Sequence, residues 1–277
     1  MRLLTNHMDA WGLTLTISAF VLVIHRAFSP SAILLVITLT VCYWLGFAIN
    51  DYFDAPYDVQ DQKKAAQNFF VQRSIPHRSV LIVLCILSVG ILIALAQFEG
   101  RGILVFLFGY AAMWAYSAPP LRFKSRPGLD LMLHTLFVQT FPYYATLYVL
   151  DLTWLPVDYV LLATFFLASL TAQLEQQVRD YELDRQTDTN FTIWIGLPIT
   201  TLLLRLITLL MMLNFLVNVL LGNIPTYLVP FAFIAMPILT HRFIRKRQQP
   251  RSEMLVRLTL LATLLYATIV WINIMVF

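Results

Sequence analysis

The 277-residue chain is 59% hydrophobic and only 12% charged, about half the roughly 25% charged fraction of a soluble domain. That composition excludes an ordinary soluble globule and leaves no polar stretch long enough for a separate soluble domain. Nor is the net charge of +4 a nucleic-acid signature, because the basic residues fall in short loops between apolar runs, as membrane topology requires.

Nine apolar runs follow one another along the chain, at about 11–27, 31–49, 79–97, 102–118, 130–150, 157–177, 192–221, 224–244 and 254–277. A span needs about 20 residues, so the first and fourth are short and the seventh is long. Hydrocarbon forces backbone groups to bond internally, and the runs lack the alternation of barrel strands, so they are expected to be helices. The first run has no basic leader or small-residue cleavage site and reads as a true span. Cys42 and Cys85 both lie inside apolar runs and read as small buried apolar residues, not as a disulfide or metal pair.

Alternating the connections between two sides gathers 16 of the 19 basic residues on one of them. The positive-inside rule makes that side cytoplasmic, with the N-terminus inside and the C-terminus outside. The largest share lies between Arg242 and Arg257, where the run His241 to Arg247 reads as a topology anchor. Outer connections are short. Two cytoplasmic ones, residues 50–78 and 178–191, are longer and polar, so chemistry is expected there. The reading is a single domain over 1–277, all-α and polytopic. Its nine transmembrane helices form a bundle around a central cavity opening near the cytoplasmic face.

The second run ends in Asn50-Asp-Tyr-Phe-Asp-Ala-Pro-Tyr-Asp58. Asp51, Asp54 and Asp58 fall at i, i+3, i+7, one face of a helix, although Pro56 could bend or end that helix. The sixth run ends in Asp180-Tyr-Glu-Leu-Asp-Arg-Gln-Thr-Asp188, with Asp180, Asp184 and Asp188 at i, i+4, i+8. One such stripe suits a solvated helix end. Two, at ends on the same side, point to cations among the carboxylates. Hard oxygen ligands suit Mg²⁺, which bridges carboxylates to substrate phosphates. A diphosphate with a greasy remainder, a prenyl diphosphate, meets both the metal and the membrane requirement.

These segments resemble signatures of the UbiA superfamily of intramembrane prenyltransferases. NDYFDAPYD is similar to its N-D-x-x-D-x-x-x-D motif and DYELDRQTD to its D-x-x-x-D-x-x-x-D motif. Tyr116-Ser-Ala-Pro-Pro-Leu-Arg-Phe-Lys-Ser-Arg-Pro127 resembles the loop after the fourth span. The resemblance implies that Asn50, Asp51, Asp54 and Asp58 hold one Mg²⁺ and the diphosphate, and that Asp180, Asp184 and Asp188 hold another. It implies a basic residue at Arg73, where the usual following Pro is Ser74. Tyr116 and Lys124 resemble a Tyr–Lys pair, at a wider spacing than is common. Arg122 belongs to the same candidate donor site. The implied reaction is ionisation of the diphosphate to an allylic cation and its capture by a lipophilic acceptor. The proline-rich string looks most like members that elongate lycopene, with quinone or glycerol-lipid precursors as other acceptors.

Other residues carry two readings each. His134 and Gln139 line an acceptor pocket or serve as hydrogen-bonded structural groups. Arg205, inside the seventh run, pairs with a polar group or snorkels. Glu175 supports the second Asp stripe or a helix end, and Glu182 points away from the stripe. Besides prenyl donor, acceptor and membrane lipid, no nucleic-acid partner is expected. Two competing functions remain. A CDP-alcohol phosphotransferase would need an Asp-Gly-x-x-Ala-Arg string, which is absent. A cation transporter would place its acids near mid-membrane on broken helices.

Overall fold

A computed structural model describes residues 8–60, 62–73, 75–187, 189–245 and 252–276. Among them all regular structure is helical. We number the helices α1 (Met8–His25), α2 (Pro30–Asp58), α3 (Gln62–Gln67), α4 (Phe69–Gln72), α5 (His77–Ala96), α6 (Glu99–Ser117), α7 (Leu129–Thr135), α8 (Phe141–Val149), α9 (Pro156–Thr187), α10 (Phe191–Ile195), α11 (Leu197–Leu220), α12 (Val229–Ile244) and α13 (Glu253–Val276). Six helical segments are long and apolar enough to cross a membrane: Pro30–Asp58, His77–Ala96, Pro156–Glu182, Leu197–Leu220, Thr226–Ile244 and Met254–Ile274. The chain is thus an all-helical, polytopic membrane protein. Helices also cover the three other apolar runs, in α1, in α6 and in α7 with α8.

The chain divides into two interleaved compact units, Met1–Lys124 with Phe137–Thr153, and Ser125–Leu136 with Trp154–Phe277. In the first unit α2 is the central helix. Ser29 caps its N-terminus by accepting from Ala32 N at 3.1 Å, and Pro30 occupies the first turn, where its missing N–H costs nothing. Leu35, Leu39, Leu45, Ala48 and Ile49 of α2 pack with Val80, Leu84, Ile91 and Leu95 of α5, Val105 of α6 and Ala145 and Val149 of α8. The α5–α6 turn is tight enough that a Cβ on Gly102 would stand 1.9 Å from the Leu95 carbonyl oxygen, so only glycine fits.

Two apolar runs are interrupted, each for a local reason. Run 130–150 carries a π-helical turn, Leu136–Thr140, just ahead of Pro142. Proline has no N–H to give back one turn earlier. In the wider π register the acceptor opposite Pro142 is Phe137, and the Tyr43 hydroxyl donates to the Phe137 carbonyl instead. The long run 192–221 divides at Gly196, whose φ of +86° ends α10, and Pro198 then starts α11.

In the second unit α9 packs on α7, α10 and α11, α11 on α12, and α12 on α13. Its outward faces are apolar, with Leu202, Leu206, Leu209, Leu213, Leu216 and Leu220 of α11 all exposed. That surface is costly in water and neutral in lipid. Buried polar links tie the helices instead. Asn214 Nδ2 donates to Thr164 Oγ1 at 3.1 Å. Glu175 of α9 accepts from Arg242 Nε and NH2 at 3.1 and 3.0 Å, and pairs with Arg245 NH2 at 2.6 Å. Arg242 NH1 also donates to Thr208 of α11 at 3.2 Å. The three charged side chains are only 12%, 10% and 6% exposed.

That triad corrects two expectations. Glu175, expected to support the Asp stripe or a helix end, clamps α9 to α11 and to the end of α12. The basic run is more than a topology anchor, since two of its arginines are buried against a carboxylate; Lys246 and Arg247 lie outside the described residues. Cys85 is exposed and Cys42 partly so, both as free thiols, which corrects the reading of both as buried. Removing one member of a buried ion cluster leaves its partners uncompensated, at about 3–5 kcal/mol. Glu175→Leu is therefore expected to lower the thermal unfolding midpoint in detergent well below that of wild type. An unchanged midpoint would refute the clamp.

Candidate functional site

The motif-bearing segments 50–58 and 178–187, expected as polar loops, are helical extensions of α2 and α9. The α2 helix continues through Pro56 to Asp58, because a proline in the last turn displaces a bond that fraying ends give up easily. The i, i+3, i+7 stripe therefore does share one helical face.

In the first unit the stripe is held by a polar cluster. Asn50 Nδ2 donates to Asp54 Oδ2 at 2.9 Å. Asn50 Oδ1 accepts from Ser117 Oγ and from Lys124 Nζ, both at 3.1 Å. Lys124 Nζ also pairs with Asp54 Oδ1, and Arg122 NH2 reaches the same oxygen at 3.4 Å. Arg122 stacks on the Tyr57 ring at 3.5 Å. Asp54, Lys124 and Arg122 are 15%, 12% and 17% exposed. Burial pulls the Lys124 ammonium below the ordinary lysine range, and the adjacent Asp54 charge opposes that pull. The wide Tyr116–Lys124 spacing thus does not keep Lys124 from the motif. The turn after α6, with a cis Pro119–Pro120 bond and a 3₁₀ turn at Phe123–Ser125, brings it there.

Sequence reading missed Asn68, which is 3% exposed. Its Nδ2 donates to the Asp51 carbonyl at 2.7 Å and to Asp58 Oδ2 at 2.8 Å, while its Oδ1 caps α4 at Phe70 N, 2.9 Å away. An Asn directly before Phe69-Phe70 was the available signal, since this residue type favours N-caps. Asp51 itself is buried. Arg73 ends α4 with an exposed side chain, and Tyr116 lies half-buried in the last turn of α6. Gln139 sits in the π turn. Tyr52 meets Phe53, Phe70 and His77 at 5.2, 5.5 and 5.5 Å, and Phe53 meets Trp114 at 5.3 Å, so an aromatic wall adjoins the stripe.

The second unit holds the other stripe. Asp180 makes a two-pronged pair with its neighbour Arg179, each contact 2.8 Å. Asp184 Oδ2 accepts from Asn190 Nδ2 at 2.9 Å. Asp188 lies outside the described residues. Glu182 is exposed and pairs with Arg185 at 3.2 Å, away from the stripe as expected. His134 has a buried Nδ1 without a hydrogen-bond partner among the described residues, and so does Nε of Arg205. The expected polar partner of Arg205 is therefore not met at that nitrogen.

Among the described residues no three acidic, His or Cys side chains gather into a protein cage for a metal. The donors at both stripes are carboxylate oxygens. Mg²⁺ ordinarily takes one or two carboxylates and completes its shell with water and substrate phosphate, so this donor set fits Mg²⁺ together with a diphosphate. The Asn68 bridge has a checkable consequence. Asn68→Ala strands a buried carbonyl and a carboxylate, at about 1–3 kcal/mol. Residues 62–73 are expected to become sensitive to limited proteolysis in the variant while α5 and α6 stay protected. Wild-type resistance of that segment would contradict the bridge.

Residues 12–272 match the model of the UbiA prenyltransferase family. Among solved structures, the chain is similar to a UbiA homologue from Archaeoglobus fulgidus bound to DMAPP and Mg²⁺, with a TM-score of 0.76 and 19% identity over 98% of this chain and 99% of that one. The same homologue bound to GPP and Mg²⁺ gives 0.73 and 17%, covering 98% and 99%. An apo UbiA homologue from Aeropyrum pernix gives 0.70 and 14%, covering 96% and 98%. At those identities the likeness is one of fold. A lycopene elongase/hydratase of Corynebacterium glutamicum is 26% identical over 159 residues, 53% of this chain and 55% of the relative. The chain thus spans about half the length of the curated relatives it matches. With the family model covering nearly its whole length, the chain belongs to the UbiA prenyltransferase family.

Proposed function

We propose that this chain transfers a prenyl group from a prenyl diphosphate to a lipophilic acceptor in an Mg²⁺-dependent reaction. The observation that carries the reading is the Asn50–Asp54–Lys124–Arg122 cluster at the end of α2. It joins carboxylate oxygens for a cation to buried cations for a phosphate. Family membership favours this reading over a cation transporter or a CDP-alcohol phosphotransferase. The whole chain acts as one prenyltransferase domain with nine crossings.

Asp51, Asp54 and Asp58 bind one Mg²⁺, and Asp180, Asp184 and Asp188 bind another. When bound, Mg²⁺ supplies Lewis-acid charge to the diphosphate oxygens. Asn50 orients Asp54. Lys124, Arg122 and Arg73 add positive charge where negative charge develops on the leaving diphosphate, which lowers the barrier to breaking the C–O bond. Tyr116 binds the same group through its hydroxyl. The faces of Tyr52, Phe53 and Trp114 suit an allylic cation, and apolar helix walls keep water from quenching it. Gln139 and His134 are each candidates to contact the acceptor, and the bare Nδ1 of His134 is the candidate to take the proton that the acceptor loses. A carotenoid such as lycopene is the preferred acceptor, supported by the lycopene elongase/hydratase relative; a quinone or lipid precursor is the other. Basic asymmetry supports a cytoplasmic N-terminus and an outer C-terminus.

Three measurements test this. Purified protein given radiolabelled C5, C10 and C20 allylic diphosphates with a carotenoid- and quinone-containing lipid extract is expected to yield a labelled lipid with Mg²⁺ and none with EDTA. Folded protein that releases no diphosphate from any donor refutes the reading. Asp54→Ala and Asp184→Ala are each expected to lower turnover at least about 10²–10³-fold, the scale for losing a transition-state electrostatic contact. Near-normal turnover in either would remove that residue from the site. Finally, Ile75→Cys in a background lacking Cys42 and Cys85 is expected to resist an impermeant thiol reagent outside intact cells; labelling there would invert the topology.

A further inference from the structure

The segment just after the second Asp stripe is built around a buried carboxylate that the proposed chemistry does not use. Asp130, in the first turn of α7, is only 1% exposed. Its Oδ2 accepts from Gln177 Nε2 of α9 at 2.6 Å and from Phe191 N of α10 at 3.1 Å. Gln177 is itself 4% exposed, and its Oε1 accepts from both Thr192 N at 3.1 Å and Thr192 Oγ1 at 2.9 Å. Thr189 Oγ1 donates to the Ser125 carbonyl at 2.8 Å. Residues on both sides of Asn190 are thereby tied to α7, α9 and the chain ahead of α7.

Asn190 has no rotational choice left. Its Oδ1 caps α10 by accepting from Ile193 N at 3.0 Å, and its Nδ2 donates to Asp184 Oδ2 at 2.9 Å. It is 7% exposed. Asp184 stands in the last turn of α9, which ends at Thr187. The dipole of a helix C-terminus disfavours a carboxylate there. An amide N–H offsets part of that cost and selects one rotamer of the acid.

We propose that Asp130 and Asn190 are positioning residues: through the Gln177–Thr192 relay they hold Asp184 in the orientation that binds a divalent cation. Resting on the proposed metal role of Asp184, this goes further by assigning work to residues outside both Asp motifs. A burial-only account explains why Asp130 is hydrogen-bonded. It does not explain why the segment anchored through Phe191 and Thr192 carries, at Asn190, the amide that touches Asp184. Groups that orient a metal ligand from behind typically change metal affinity 10–100-fold when lost.

The test uses Mn²⁺ as the cation and inorganic diphosphate as its partner, with free Mn²⁺ read by electron paramagnetic resonance on the full-length protein in detergent. Asn190→Ser keeps an oxygen to cap α10 but has no amide to reach Asp184. It is expected to weaken Mn²⁺ binding by about tenfold or more with the thermal unfolding midpoint unchanged. Asp130→Asn is expected to weaken it too, and the double variant to be no worse than its weaker parent, because both act along one path. Should Asn190→Ser fold poorly, Thr192→Val, which removes only the hydroxyl link, gives the same readout. Wild-type affinity in a folded Asn190→Ser chain overturns the proposal, and so does affinity that falls only in step with unfolding temperature. A wild-type chain that binds no Mn²⁺ with diphosphate overturns the metal reading itself and the positioning role with it.

Discussion

In hydrocarbon an unpartnered backbone group or charge costs several kcal/mol, and that constraint organises each unit of this protein. It makes every long apolar run helical. It explains why the Phe137 carbonyl, freed by Pro142, receives the Tyr43 hydroxyl. It also explains why two buried carboxylates are each met by two cations. Asp54 is met by Lys124 and Arg122, and Glu175 by Arg242 and Arg245.

The two groups differ in kind. Glu175 is closed: its two arginines and Thr208 join three helices, with both carboxylate oxygens taken up by arginines. Asp54 sits on a stripe with Asp51 and Asp58, and its cations come from the turn after α6. A lysine held by burial and by one carboxylate can turn to a phosphate without becoming unpaired. That capacity to exchange partners is what the proposed binding role asks of the Asp54 cluster and what the Glu175 clamp lacks, although both are buried Asp/Glu–Arg/Lys sets.

Amides do most of the local orienting. Asn50, Asn68 and Asn190 each use oxygen and nitrogen at once, and each donates to a stripe carboxylate. A carboxylate accepts only. A neutral donor fixes its geometry without cancelling its charge, so the acid stays available to a cation. An arginine in the same place would compete with that cation. Arg179 on Asp180 is the contrasting case, adjacent in sequence and partly exposed, where exchange with solvent is easy.

Much of this was legible in the sequence. Helicity, membrane residence and the two acidic stripes follow from hydropathy and from i, i+3, i+4 spacing, which are local properties of the chain. The family resemblance rested on the same strings. Tertiary structure alone placed Lys124 on Asp54, Asn68 on Asp51 and Asp58, and the basic run of α12 on Glu175. Each joins residues ten to seventy positions apart, with no periodicity to connect them. It also decided that the stripes ride on helix extensions that run on to Asp58 and Thr187, and that the N-caps Asn68 and Asn190, which start the next short helices, turn back onto stripe carboxylates. Spacing encodes which residues share a helical face, whereas partner choice depends on how chain segments fold back on one another, and only the assembled packing determines that.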